Sequence, residues 1–427
     1  MEAALRRSPA IRPAALAAAA DVAAEARPVL QDILATDPSP ETRRVAVGLL
    51  GRVLPLNVPI LIRSLRDDAD PTVRAAAATA LGYAGETAVA ALAEAAGRET
   101  VMEVRLAVAR GLRRAGGRGA AEALLGMLDD GESEIALVAL RSLAAIGYRG
   151  TDPRLLRLLH RGNGTLQGEA ARVLAQAGTL EATRALAAAA HKAPTAALVE
   201  ALGTLRSKSV RASMVQWLRH EDAGVRLAAA EYLAALKDPR AFPVLRDLLV
   251  PAIDAPLADR AAQALLARRN EAAAARLIQM LDAGRLSQAT RLTLIRTAGE
   301  LGWREAAGTI VAILARGLAE PQRLDQAEER QLWAEALRAA ARVGPIWDAE
   351  VERAVPDVPG DSPYAPALAA LRADGVAGLL RTLWRSPLPD DLRRATVAAY
   401  ATLRGKAARR ELVPLLESPV LQGAAVS

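Results

Sequence analysis

The residues that could do chemistry are few, and their spacing is periodic. Arg12, Arg43, Arg74 and Arg105 stand 31 residues apart, and arginines return in similar slots at Arg226, Arg260, Arg291 and Arg393. Guanidinium groups in register on one surface could track phosphates or serve as a structural ladder paired with turn aspartates. Asp70 and Asp222 are placed for such pairing, whereas Arg105 lacks an obvious aspartate in its own turn. The ladder reading, with Arg43, Arg74, Arg105, Arg226, Arg260, Arg291 and Arg393 as its members, is the simpler one.

The three histidines, His160, His191 and His220, also lie about one period apart, each ahead of a predicted turn. A metal needs ligand nitrogens ~2.0–2.1 Å away, while stacked helices sit ~8–10 Å apart. A shared mononuclear site is not expected, and a histidine near a helix C-terminus is favoured by the macrodipole. The run 162–168, with glycines at 162, 164 and 168, superficially resembles a phosphate loop but lacks a preceding strand and a lysine, so it reads as a turn. Asn163-Gly164-Thr165 is a glycosylation sequon only in a secreted chain. No catalytic residue, cofactor site or metal site emerges. The expectation is a non-enzymatic protein.

The elements that must position these residues are helices. The segment 59–85 shows the unit: Ile60, Leu61, Ile62 and Leu65 give one apolar helix face, and Asp67 to Pro71 form a turn. Asp70 is a candidate N-cap, with Pro71 at the first helical position, where its missing N–H costs nothing. Val73, Ala76, Ala77, Ala80, Leu81 and Ala84 then define the face of a second helix. Gly82 and Gly85 are expected to stop it. Further second helices centre on Ala136, Leu166, Ala196, Val225, Arg260, Arg291, Leu332 and Arg393, with terminal glycines at Gly51, Gly116, Gly147, Gly178, Gly302 and Gly344. Asp-Pro pairs at Asp37, Asp152 and Asp238 mark other helix starts. The predicted fold is an all-α solenoid of about a dozen helix pairs with a period of ~30–31 residues.

Asp70-Pro71-Thr72-Val73-Arg74-Ala75-Ala76-Ala77-Ala78-Thr79-Ala80-Leu81-Gly82 resembles the consensus second helix of the HEAT repeat, in the short form also found in bilin lyases. The resemblance covers almost the whole chain and implies an α-solenoid. It implies little about activity. His220-Glu221 is similar to one of the four iron-binding His-Glu pairs of deoxyhypusine hydroxylase, a HEAT-repeat enzyme, but the other three pairs are missing.

Register predicts three regions: regular repeats over 1–316, an irregular stretch over 317–366, and further repeats over 367–427 with the last incomplete. The irregular stretch joins a charged connection, 317–331, to a loop carrying Pro345, Pro356, Pro359, Pro363 and Pro366. At both ends the pattern stops in mid-repeat, as partial caps or a piece of a longer protein would. Of the five tryptophans, Trp303, Trp333, Trp347 and Trp384 fall in the C-terminal third. Tryptophan is enriched at binding hot spots, and bulky rings also fill gaps in imperfect stacking. We therefore expect partner binding at Trp333, Trp347 and Trp384, flanked by Arg323, Arg330 and Arg353.

Composition agrees. Apolar residues make up 52% of the 427 residues but aromatics only 3%, and alanine is the largest apolar contributor. Alanine is the best helix former, and small side chains let helices approach closely. Cysteine is absent, which removes disulfides and thiolate chemistry and fits a cytoplasmic protein. The net charge of +7 is carried by arginine, with lysine only at 192, 208, 237 and 406; coding bias or an acidic partner would each produce this. Residues 1–20 mimic a signal peptide, but Arg12 and Pro13 interrupt the apolar run and Asp21 follows it. No window is apolar enough for membrane insertion. The expected function is a protein-binding scaffold or adaptor. The alternatives are nucleic-acid binding through the arginine stripe, and an accessory subunit of an enzyme such as a bilin-lyase-like factor. Oligomeric state is not legible.

Overall fold

The computed structural model describes residues 27–52, 57–162, 164–205, 210–250, 252–343 and 363–413. Among them the regular structure is helical throughout. The chain falls into two compact units, 1–213 and 214–427. The expected irregular stretch lies inside the second.

In the first unit, A helices alternate with B helices. The A helices are α1 (Arg27–Thr36), α3 (Val58–Asp67), α5 (Glu86–Arg98), α7 (Gly117–Gly126), α9 (Pro153–Arg161) and α11 (Leu180–Lys192). The B helices are α2 (Pro40–Leu50), α4 (Pro71–Leu81), α6 (Met102–Ala115), α8 (Ser133–Ala145), α10 (Gly164–Ala177) and α12 (Ala196–Thr204). Each B helix packs on its own A helix and on the B helices of the flanking repeats. The next A helix, α13 (Arg211–Trp217), leads into the second unit. There the B helices are α14 (Ala223–Ala235), α16 (Ala255–Leu266), α18 (Gln288–Leu301), α20 (Ala327–Val343) and α22 (Asp390–Arg404). Their A partners are α15 (Ala241–Asp247), α17 (Ala274–Asp282), α19 (Ala307–Ala319) and α21 (Ala365–Leu383), and α23 (Arg409–Leu412) closes the described chain.

The local rules behave as the residue types require. The Asp70 carboxylate accepts from the Thr72 N–H at 2.9 Å, with Pro71 leading α4. Asp152 does the same for Arg154 ahead of α9. Two expectations are corrected. The helix after Asp37-Pro38 opens one step later, with Ser39 as N-cap and Pro40 at the first position, while the Asp37 carboxylate accepts from the Ser39 N–H. Gly82 does not stop α4; it keeps helical angles and passes into a 3-10 turn, and the reversal falls at Gly85, where φ is +63°.

The core is the seam between successive B helices, built from alanine and leucine, for example Ala77, Ala78 and Leu81 of α4, all fully buried. Glycine sets the closest approaches. A Cβ on Gly111 would stand 2.6 Å from the Ala78 carbonyl oxygen, and one on Gly82 would stand 2.9 Å from that of Gly111. The second unit repeats the device, where a Cβ on Gly299 of α18 would meet the Ala339 Cα of α20 at 2.7 Å.

The charged connection expected over 317–331 is compact. Helix α19 continues to Ala319, a 3-10 turn spans Pro321–Asp325, and α20 begins at Ala327. Its proline-rich sequel lies almost wholly outside the described residues.

Candidate partner-binding surface

The arginine series resolves into a ladder with an unexpected partner. Arg43 Nε and Nη2 each bond an Asp68 carboxylate oxygen at 2.9 Å, and Nη1 donates to the Asp37 carbonyl. Arg74 repeats the pattern on Glu99, at 2.8 and 3.1 Å, and on the Asp68 carbonyl. Arg105 bonds Asp130 at 2.6 Å. Each guanidinium therefore reaches a carboxylate 25 residues on, in the turn of the next repeat, and Arg43 and Arg74 tie it to the turn of their own. These side chains are only 14, 15 and 19% exposed. The expected partners were different: Asp70 and Asp222 cap their own helices, and Arg105 does have a carboxylate. A signal was present, because Asp37, Asp68, Glu99 and Asp130 are themselves 31 residues apart.

Pairing holds the Glu99 carboxyl below its ordinary range, chiefly through the Arg74 hydrogen bond, which outweighs the opposing effect of burial. In the second unit the ladder is irregular. Arg226 donates to the His220 and Glu221 carbonyls. Arg260 reaches back to Glu231 of α14 at 2.6 Å. Arg291 lies 3.6 Å from Glu329, and Arg393 pairs with Asp390 on its own helix.

The tryptophans expected at a binding surface are corrected where they can be seen. Trp333 is 1% exposed and its indole N–H donates to the Leu314 carbonyl at 3.0 Å. It fills the space that Gly317 leaves open, where a Cβ would stand 2.6 Å from the ring. Trp384 is 5% exposed and packs edge-on against Tyr400, ring centroids 4.8 Å apart. Both rings fill the seams between helices in which alanine would leave voids. Trp347 and Arg353 lie outside the described residues. Arg323 pairs with Glu320, and Arg330 donates to the Asp325 carbonyl at 3.2 Å.

Arg330 does line a groove, of about 440 Å³, on the B-helix face of the second unit. Its floor holds Glu335, whose side chain is 8% exposed. Arg296 of α18 bonds one carboxylate oxygen at 3.3 Å, and Arg338 of α20 the other at 2.8 Å. Both guanidinium groups remain about half exposed, at 53 and 48%. Glu335 thus fixes two cations at the mouth of the groove, with Arg330 beside them. Neither Arg296, Arg338 nor Glu335 stood out in the sequence, because the buried carboxylate and its partner are 39 residues apart.

The other motifs are structural. His191 shares a hydrogen bond with Ser213 at 3.0 Å. His220 Nδ1 accepts from the Asp222 N–H, so the imidazole helps to shape its turn. Of the glycine run at 162–168, Gly162 caps α9 and Gly164 and Gly168 lie in the first turns of α10, where Gln167 donates to the Leu159 carbonyl. Among the described residues, no three His, Asp or Glu are grouped to hold a metal, and no helix is long and apolar enough to cross a membrane.

A family model described as HEAT repeats matches residues 58–138 and 193–265. The matched segments are HEAT repeats, and the fold is an all-α solenoid. Among solved structures it is similar to importin beta, at 12% identity with TM-score 0.58, covering 95% of this chain and 63% of that one. It is also similar to Kap95p bound to RanGDP, at 15% identity with TM-score 0.59, covering 98% of this chain and 64% of that one. The chain spans somewhat less than two thirds of the length of these karyopherins, and at such identities the likeness is one of fold. The CpcE–CpcF complex of phycocyanin lyase from Nostoc sp. PCC7120 matches 57% of this chain and 88% of that one, at 23% identity and TM-score 0.31, too low to lend the lyase reading support. No curated protein matches by sequence.

Proposed function

We propose that this chain is a non-enzymatic protein-binding scaffold, acting in the cytoplasm, whose second unit docks a partner on its B-helix face. The observation that carries this reading is the groove around Glu335. A buried carboxylate that holds Arg296 and Arg338 in place, with their remaining donors facing out, is a preorganised receptor for an acidic side chain or chain terminus, since guanidinium binds carboxylate through paired hydrogen bonds. Arg330 adds a third donor set at the rim, and Trp347 and Arg353 follow in the adjoining segment as further candidates. Arg323 stays at the edge, on its own turn. Solved solenoids of this fold support the reading by analogy, Kap95p with RanGDP and Kap121p with Pho4p. The nucleic-acid alternative loses its main argument, because the best-ordered ladder arginines are buried and paired.

A photocrosslinking residue in place of Ala334, in the groove, should trap a specific protein from native extract. Titration of that protein should then weaken by about tenfold or more in Arg330→Glu or Arg296→Glu, the usual scale for a charge reversal at a docking site. Failure to trap any protein, or unchanged affinity in both variants at unchanged helix content, would defeat the reading.

A further inference from the structure

We infer that the first unit carries a second docking surface, centred on Tyr83, that takes a short acidic segment of a partner protein. This rests on the scaffold reading but on different residues. Tyr83 follows α4 and is 59% exposed, an unusual state for an aromatic ring where, among the described residues, few other large apolar side chains are exposed. Arg114 of α6 lies over it, its guanidinium carbon 4.0 Å from the ring centroid. A cation–π contact of this kind fixes both groups in one orientation and leaves the outer face of the guanidinium free to bind.

The surrounding charges are unusual in being unspent. Along the B helices of the first unit, Arg43, Arg44, Arg74, Arg105, Arg141 and Arg172 all hold carboxylates. Among the described residues, Arg110, Arg113 and Arg114 of α6 and Arg52 just past α2 hold none, and all four are exposed. Arg114 lies over the ring, and Arg110 and Arg113 stand on the same helix. Arg52, Tyr83 and Arg114 occupy one register position in three successive repeats, 31 residues apart. The glycine seams that bring α2, α4 and α6 together set these positions side by side. The macrodipole favours basic residues in the last turn of α6. It does not call for Arg110 one turn earlier, nor for an exposed tyrosine beneath Arg114.

An exposed aromatic platform under Arg114, with three more exposed arginines without carboxylate partners on the same and the neighbouring B-helix ends, fits glutamate and aspartate side chains around one apolar contact. The extent of the surface argues for a short peptide over a nucleic acid. The next position in the row is Ala145, and Arg141 in the neighbouring row is held by Glu169. A polyanion with a charge every ~1.7 Å would outrun this patch. It would also meet the exposed glutamates Glu41, Glu103 and Glu134, in the first turns of α2, α6 and α8, about 16 Å away along the helix axis.

The test uses the full chain and a fluorescein-labelled dodecapeptide of glutamates flanking two central leucines. Anisotropy should show binding that weakens as salt rises. Affinity should fall by about tenfold in Tyr83→Ala and in Arg110→Glu, in keeping with loss of a hot spot. Tyr83→Phe, which keeps the ring, should bind as the wild type does, and Arg184→Glu on the exposed face of α11, outside both surfaces, should change nothing. A lysine counterpart of the peptide should not bind. The inference is overturned if the acidic peptide fails to bind, or if binding ignores both Tyr83→Ala and Arg110→Glu. It is also overturned if a dodecathymidylate binds more tightly in a Tyr83-dependent manner, which would make the surface a nucleic-acid platform. Should the groove at Arg330 trap a protein while the acidic peptide does not bind, this inference fails and the scaffold reading stands. Tyr83-dependent peptide binding with nothing trapped at the groove supports this surface alone.

Discussion

At the scale of single residues, the ladder arginines and the buried indoles make opposite uses of large side chains. Arg74 is held by a bidentate carboxylate and a backbone carbonyl in a setting 15% exposed. Removing it leaves Glu99 charged and half-buried without its cation, held only by the Thr100 and Val101 N–H groups, so Arg74→Ala should lower stability by about 1–3 kcal/mol, measured by urea unfolding. Partner affinity should not change. Glu99 also makes this contact pH-dependent. Its carboxyl titrates below its ordinary range in the folded chain, so the folded state binds that proton less readily than the unfolded state does. The contribution is therefore full above the unfolded glutamate value of ~4.3 and is lost as pH falls from there through the lower folded value. Glu99→Gln should flatten that part of the stability–pH curve. For the indoles, Trp333→Ala should cost about 3–5 kcal/mol through the cavity it leaves. A small loss accompanied by a large loss of binding would restore Trp333 as a contact residue.

At the scale of elements, small residues decide how closely the B helices stack. Gly111 faces the α4 backbone with no room for a Cβ, so Gly111→Ala must push α4 and α6 apart. The expected cost is about 1–3 kcal/mol, read as a lower thermal midpoint. Gly48, with nothing within 4 Å of a built Cβ, is the control, and alanine there should stabilise slightly through helix propensity. Helix identity was legible because alanine content, caps such as Asp70-Pro71 and the 3.6-residue apolar period all pointed the same way. Which glycines end helices and which pack them was not legible. Gly82 and Gly85 look alike in sequence, and only the neighbouring helix shows that the first is a contact and the second a turn with positive φ.

At the scale of the whole molecule, a solenoid's contacts run between neighbouring repeats, so damage stays near its source. Hydrogen exchange of Gly111→Ala should show lost protection across α4 to α8 and unchanged protection in α18 and α20. A uniform loss along the chain would mean that the array unfolds as one cooperative body.

What the amino-acid order determined by itself was the repeat. A 31-residue period in arginine, acid, glycine and apolar positions, with the apolar residues at helical spacing inside each repeat, specifies stacked helix pairs, because each pair buries its apolar stripe against the next. The order also carried the ladder, once the acids at 37, 68, 99 and 130 are set beside the arginines. Exposure was left to the tertiary structure. Trp333 and Trp384 carry the same residue type as a hot spot, and it is packing against Gly317 and Tyr400 that buries them. Among the described residues Tyr83 is an exposed ring, beneath an arginine 31 residues away, and Glu335 gathers Arg296 from another repeat. Periodicity states which residues recur. Which of them meet solvent depends on contacts between repeats, where one missing Cβ or one added ring changes the surface.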